Sequence, residues 1–285
     1  LLRCPKCDLV WLNPRPVPQD IGKLYERYFT HDTANPLLQP SKVKRAIRDA
    51  VLASCLGYDG LVSGPLQKSL GKMISWIGPI REIVELSVMT LNGQKRGNLL
   101  DVGCGNGQFL AKMRDLGWEV VGVEPDSQAV KVARERFGLN VHEGTLEEAG
   151  FPDSMFDAIT MNHVVEHLWD PISTLQECRR VLKPGGRLVV VTPNIESLGY
   201  YLFREAWRGL EVPRHLYLFS PRTLRVCAEQ AGLQVLKIWT TARSARWMWA
   251  ASRLIQRNGV LPRGSPAKIN RRLRLEGLMF QAIEH

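Results

Sequence analysis

Eleven residues, Leu99-Leu100-Asp101-Val102-Gly103-Cys104-Gly105-Asn106-Gly107-Gln108-Phe109, constrain this chain more than any others. An apolar strand runs into a Gly-x-Gly-x-Gly turn, and a helix leaves it. Glycine admits positive φ and lets a ligand approach the backbone closely. The N-terminus of the helix that follows is a place where a nucleotide can sit. Downstream, the pattern alternates. A helix over Gln108–Leu116 stops at Gly117, a strand spans Glu119–Val123, and a helix over Ser127–Phe137 closes at Gly138. A short strand lies near Val141, another covers Phe156–Met161, and a helix covers Pro171–Leu182. The turn Lys183-Pro184-Gly185-Gly186 leads into a strand over Arg187–Thr192. Strands alternating with helices of this length predict βαβ units and a largely parallel sheet. After an aromatic loop, Ser220 caps a helix that starts at Pro221 and ends before Gly232, and a final strand is expected over Leu233–Thr240.

The ligand follows from spacing and charge. A dinucleotide fingerprint requires Gly-x-Gly-x-x-Gly, and its third glycine position holds Gln108, which disfavours NAD and FAD. Residues 101–109 contain no cation for a pyrophosphate. Asp101 precedes the turn, and Glu124 ends the next strand, where a carboxylate accepts hydrogen bonds from ribose hydroxyls. Acids at both places suit S-adenosylmethionine, which carries a sulfonium, an ammonium and a ribose but no phosphate.

Residues 98–195 resemble a class I S-adenosylmethionine-dependent methyltransferase. The resemblance rests on 99–107, 121–126, Gly144-Thr145-Leu146-Glu147, Phe156 through His167, and Lys183-Pro184-Gly185-Gly186-Arg187-Leu188. With Asn13-Pro14-Arg15-Pro16 and Val212 through Pro221, the chain is similar to the subgroup of ubiquinone-biosynthesis O-methyltransferases and bacterial small-molecule or saccharide methyltransferases. The resemblance implies a Rossmann-like α/β fold with a seven-stranded, mainly parallel sheet flanked by helices. It divides the chain into a half zinc-knuckle (1–18), a helical cap (19–97), the cofactor-binding domain (98–240) and a basic helical tail (241–285).

Position by position, the resemblance implies that Gly103, Cys104, Gly105 and Gly107 line the methionine and ribose side, with Asp101 at the ammonium. Glu124 takes the ribose, and Pro125 and Asp126 flank the adenine. Thr145 and Leu146 cover it. Related proteins often carry Asp where Thr145 stands, which makes Glu147 the substitute for the adenine amino group. Asn162, His163 and Val164 lie beside the sulfonium.

Methyl transfer is an in-line displacement that needs an oriented acceptor, plus a base if the acceptor is a hydroxyl. His215 and His167 are the candidate bases, because an ordinary imidazole titrates near neutrality. Tyr200, Tyr201, Trp207 and Tyr217 are candidates for an apolar acceptor wall, and equally for core packing. The expected acceptor is a small molecule, a lipid-like compound or a saccharide. Asn162-His163-Val164-Val165 lacks the Asn-Pro-Pro-aromatic turn of nucleobase amino-methylating enzymes, so nucleic acid is the weaker alternative. A cofactor-binding protein without turnover is a further one.

Cys4 and Cys7 have the spacing of a zinc knuckle, which requires four ligands. No second pair follows nearby, and the sequence opens at Leu1 straight into this motif, so an upstream segment carrying the other half is expected. The remaining cysteines, Cys55, Cys104, Cys178 and Cys227, read as buried small hydrophobes. No signal-peptide pattern opens the chain and no uncharged run approaches the ~20 residues of a bilayer span, so the expected location is cytoplasmic. The formal charge of +10 is local. Residues 237–275 contain ten Lys or Arg and no acid. On a wheel over 243–257, Arg243, Arg246, Arg253 and Arg257 adjoin a Trp-containing apolar arc. This favours either a packed helix with Arg facing water or peripheral contact of 241–285 with an anionic membrane.

Overall fold

The computed structural model describes residues 1–17, 20, 41–261, 276–277 and 281. The helix expected within 20–40 and most of the tail beyond Leu261 lie outside the described residues. Two short strands open the chain, β1 (Leu2–Arg3) and β2 (Val10–Trp11), paired antiparallel. Three helices follow: α1 (Lys42–Leu56), α2 (Pro65–Ile74) and α3 (Gly78–Leu86). They lie within the span 19–97 expected to be helical. Each break is a glycine or proline acting at a terminus: Gly57 closes α1 at φ 71°, and Pro65 and Pro79 sit in first turns, where no amide donor is needed.

The alternating region forms β3 (Asn98–Val102), α4 (Gln108–Asp115), β4 (Glu119–Glu124), α5 (Ser127–Phe137), β5 (Val141–Glu143), β6 (Phe156–Asn162), α6 (Pro171–Val181) and β7 (Leu182–Val191). The strands make one parallel sheet in the order β5-β4-β3-β6-β7. Strand order reverses between β3 and β6, which creates a switch point at their carboxyl ends. Local chemistry fixes the helix ends. The Asp126 carboxylate accepts the amides of Gln128 and Ala129, and Gly138 closes α5 at φ 61°. β3 is buried nearly throughout, as expected of an inner strand covered on both faces.

The cap helices and this sheet belong to one compact unit, residues 18–165 and 172–191. The second comprises 1–17, 166–171 and 192–285. The hairpin at the start of the chain falls in the second unit because it pairs with residues near 217.

Within the sheet unit, Tyr58 is 2% exposed, and its hydroxyl links two segments. It accepts from Trp118 Nε1 at 3.1 Å and donates to the Leu91 carbonyl at 3.1 Å. Replacing Tyr58 by Phe leaves a buried indole donor and a carbonyl without this partner. We expect a loss of about 1–3 kcal/mol, seen as a lower urea midpoint with an unchanged slope.

In the second unit, β2 pairs with β1 on one side and β8 (Tyr217–Leu218) on the other. α7 (Leu198–Phe203), α8 (Pro221–Gln230) and α9 (Ala245–Asn258) complete its regular elements among the described residues. Ser220 and Thr223 form a reciprocal capping box for α8, as the sequence predicts. Residues 233–240 form no strand, so the sheet has five described strands and not seven. These residues are rich in Val, Leu, Ile and Trp, but strand propensity supplies no pairing edge.

The tail helix α9 buries Ala245, Ala250, Ala251 and Ser252, and Met248 and Trp249 pack on the cluster containing Phe203 and Trp207. The Arg253 guanidinium lies over Phe203 and Trp249. Much of the apolar arc read from the wheel is therefore taken up inside its own unit. Arg263, Lys268, Arg271, Arg272 and Arg274 lie outside the described residues. Among the described residues no helix is long and apolar enough to cross a membrane.

Candidate functional site

The glycine turn takes the form its sequence demands. Gly103, Gly105 and Gly107 adopt φ of 72°, 54° and 78°. A Cβ on Gly107 would collide with Leu139 and Ala133, so this position excludes side chains on steric grounds as well. The Gly103 and Cys104 amides bond to the Val123 carbonyl, tying the turn to the end of β4. There the Glu124 carboxylate accepts the Gly105 amide at 2.8 Å through Oε2 and the Asp126 amide at 3.1 Å through Oε1. Glu124 is thus fixed between the glycine turn and the start of α5.

Asp101 is 5% exposed and accepts the Thr160 hydroxyl at 2.6 Å. Burial pushes its carboxyl up to about 7; the Thr160 bond opposes this, and the nearby charge of Glu124 adds to it. Asp101 and Thr160 are register partners on adjacent strands. Such a pairing depends on the sheet and carries no local sequence signal.

Other expected positions fall as follows. Pro125 is exposed and Asp126 is the helix cap. Leu146 is buried, and Thr145 is exposed, its amide bonded to Glu148 Oε2 at 2.7 Å. Glu147 is exposed, and its Oε1 accepts the Thr174 hydroxyl at 2.7 Å. Glu148, the next acid along, is the one beside Thr145. Cys104 is buried among Leu110, Ala111 and Val130 with its thiol pushed up by burial, so only its backbone faces the turn. Asn162 ends β6 and is exposed, His163 follows at φ 57° with its amide on the Val191 carbonyl, and Val164 lies against Gly103.

The second unit contains a buried carboxylate–imidazole cluster. Glu166, 1% exposed, accepts the Thr192 hydroxyl at 2.9 Å through Oε2. His215 is 4% exposed, and its Nε2 lies 3.9 Å from Glu166 Oε1 and 3.8 Å from Glu211 Oε2. Its Nδ1 meets the Gly209 carbonyl at 2.8 Å, and His167 Nδ1 meets the Arg214 carbonyl at 3.0 Å. A carbonyl only accepts, so in both rings Nδ1 donates, and in the neutral His215 ring Nε2 is the acceptor nitrogen. The rings meet edge to face at 4.6 Å. Burial pushes His215 down to about 4 against the opposing pull of Glu166 and Glu211. Glu211 is held down to about 2: burial raises it, but the Arg208 and Arg214 guanidiniums and His215 more than offset this.

One ligand atom each from Glu166, His167 and His215 lies within 4.8 Å of the others. Two imidazoles and a carboxylate suit a borderline divalent cation. Imidazoles whose second nitrogen is anchored on a carbonyl are oriented as metal-ligating histidines are. Sequence reasoning selected both histidines and missed Glu166 and Glu211 as their partners.

The cysteine pair sits on the β1–β2 hairpin. The Cys4 amide bonds to the Leu9 carbonyl and the Asp8 amide to the Cys4 carbonyl, with Asp8 at φ 66°. The Cys7 and Lys6 amides hold the Cys4 thiol below its usual range. This is a thiolate-favouring knuckle, but two sulfurs are half a tetrahedral set. Among the described residues no further His, Cys, Asp or Glu joins them at ligand distance. Of the aromatic wall, Trp207 is buried and Tyr200 packs on it at 5.6 Å, so both serve the core. Tyr201 is exposed, and Tyr217 carries the Arg15 guanidinium 4.6 Å from its ring centre.

Residues 79–238, more than half of the chain, match the family model described as a methyltransferase domain. The chain belongs to that methyltransferase family. Its topology and glycine turn are those of the class I, S-adenosylmethionine-dependent type. The ubiquinone biosynthesis O-methyltransferase of Cereibacter sphaeroides is 40% identical over 166 residues, which cover 54% of this chain and 67% of that protein. The human mitochondrial ubiquinone biosynthesis O-methyltransferase is 32% identical over 174 residues, covering 53% of this chain and 46% of that one. Across the curated relatives it matches first, the chain spans from 38% to 67% of their length. A solved S-adenosylmethionine-dependent methyltransferase from Archaeoglobus fulgidus aligns at a TM-score of 0.43 with 22% identity, covering 70% of this chain and 89% of that one. The methyltransferase domain accounts for Asp101, the glycine turn and Glu124. The hairpin at residues 1–17 and the tail helix lie outside the matched segment.

Proposed function

We propose that this methyltransferase transfers the methyl group of S-adenosylmethionine to a hydroxyl oxygen of a small acceptor, of lipid-like or saccharide chemistry. The cofactor half of the reading is supported by Glu124, whose two amide contacts orient it for a ribose, and by the acidic entry at Asp101. The observation that carries O-methylation is the placement of His215: Nδ1 is anchored on the Gly209 carbonyl, which leaves Nε2 as acceptor beside the Glu166 and Glu211 carboxylates. Burial makes this imidazole less basic than the near-neutral one expected from the sequence, so the two carboxylates must stabilise its protonated form. The ubiquinone biosynthesis O-methyltransferases among the relatives point the same way.

The transfer balances simply. The acceptor oxygen attacks the methyl carbon, the carbon–sulfur bond breaks, and S-adenosylhomocysteine leaves with the electron pair. The hydroxyl proton passes to His215 Nε2 and then to solvent. The Gly209 carbonyl and the His167 ring hold the imidazole in place, and Glu166 and Glu211 balance its transient charge. A second reading follows from the ligand-like orientation of both histidines: Glu166, His167 and His215 would hold a divalent cation, which would supply Lewis acidity toward the acceptor oxygen. In that reading the three residues are ligands and the hydroxyl proton leaves to water. Zinc at Cys4 and Cys7 would require two donors beyond those described.

Incubating the protein with methyl-labelled cofactor and fractionated cell extract, then identifying the labelled product, tests the function. A labelled methyl ether supports it. Label on nitrogen or in nucleic acid rejects it. Dialysis against a chelator, with metal content measured in parallel, separates the two readings.

A pH dependence follows from Asp101. The ligand's ammonium is held by the ionised carboxylate, whose unliganded pKa is about 7. Lowering the pH from 7 to 5 protonates Asp101 before binding, so the cofactor dissociation constant should rise by up to about tenfold per unit. Calorimetry across this range checks it, and Asp101→Asn should flatten the dependence.

A further inference from the structure

The cap helices of the sheet unit carry a surface that cofactor and acceptor chemistry leave unused. Leu66, Leu70 and Met73 recur along α2 at helical spacing, and Trp76 and Ile77 continue into the turn after it. Their exposures are 82%, 53%, 61%, 79% and 53%. The opposite side of α2 is the packed one. Gly71 is buried, and a side chain there would strike the Ala50 carbonyl of α1, so the two helices cross backbone to backbone. That crossing fixes α2 with its apolar side chains turned away from the core.

The charge around this edge is net positive. Residues 60–80 contain no acid, and residues 42–86 hold seven Lys or Arg against four acids. Three of those acids are ion-paired with neighbours, Asp49 with Arg48, Asp59 with Lys68 and Glu85 with Arg81, each at 2.7 Å. Lys42, Lys44 and Lys72 are exposed. A second copy of the same face would bring two positive surfaces together, which disfavours self-association. An apolar ridge with a tryptophan at its end and lysines at its flanks has the composition of an interfacial element.

We infer that the α2 edge, Leu66, Leu70, Met73, Trp76 and Ile77, docks the protein on anionic lipid bilayers, with the exposed Lys42, Lys44 and Lys72 meeting the headgroups. The apolar side chains enter the acyl boundary and Trp76 sits at the interface. Attraction by the lysines falls off within a Debye length, so the contact is salt-sensitive. This inference stands apart from the proposed reaction, because neither cofactor nor acceptor takes part in it.

The test is co-sedimentation of the full chain with vesicles of neutral phosphatidylcholine and with vesicles containing about one third phosphatidylglycerol. Binding should appear on the anionic vesicles at low salt and weaken at least tenfold at high salt. The variant Leu66→Gln, Met73→Gln, Trp76→Ser changes only exposed side chains, and circular dichroism checks its fold. It should lose at least tenfold in vesicle affinity. A chain ending at Gly259, which lacks the last basic residues, should still bind. Equal binding by the triple variant, loss of binding on truncation alone, or no binding at low salt would overturn the inference. So would a concentration-dependent dimer, seen by sedimentation equilibrium, that the triple variant abolishes without any vesicle binding by the parent.

Discussion

Replacing His215 by Ala should lower turnover by about 10²–10⁴ while leaving affinity for S-adenosylhomocysteine unchanged. The size follows from removing the acceptor nitrogen to which the hydroxyl proton passes. His215→Asn is the companion variant. It keeps a polar side chain near the Gly209 carbonyl and fills more of the buried space, so a fall in turnover shared by both variants is not a folding defect. Glu166→Gln should fall with them, because it withdraws the charge 3.9 Å from Nε2. Single-turnover rates with labelled cofactor measure the effect, and binding of S-adenosylhomocysteine is the control. Full activity in His215→Asn would remove His215 from the reaction.

The second large effect belongs to Glu124. Glu124→Ala should weaken cofactor binding by about 1.5–3 kcal/mol, the range for hydrogen bonds to a charged group, or roughly 10–150-fold. The carboxylate does two things that alanine cannot. It presents acceptors to ribose hydroxyls, and it fixes the Gly105 and Asp126 amides, which set the glycine turn against α5. Glu124→Gln retains one acceptor and should lie between. Calorimetry giving affinities within twofold of the parent would place the ribose elsewhere.

What the sequence made legible was local. Gly103, Gly105 and Gly107 sit in the backbone region that glycine favours, and Gly138 and Ser220 bound helices where their types predict. Each effect spans a few residues, so spacing alone reveals it. The parts that were not legible depend on partners far along the chain. Thr160 meets Asp101 from 59 residues away, and Glu166 meets His215 from 49. Glu147 has the charge for the adenine amino group, and its contact with Thr174 is set by how α6 packs. Cys104 lies in the right motif, yet burial turns its thiol into the cluster around Leu110. Leu233–Thr240 has a strand's composition and lacks a ladder. In each case residue type was informative and direction was not, because direction comes from packing.

The antiparallel pairing of Val10 with Leu218 has a consequence for biosynthesis. The chain leaves the ribosome from its N-terminus, so β2 emerges about 200 residues before the strand it pairs with. At roughly 5–20 residues per second this is a wait of about 10–40 s. Throughout it, Val10 and Leu12, both buried in the finished protein, are exposed on a two-stranded ribbon too small to be stable alone. The sheet unit has all of its strands by Val191 and can close first. The β1–β2 hairpin is then among the last of the described elements to find its partner, after the strands of the sheet unit are complete.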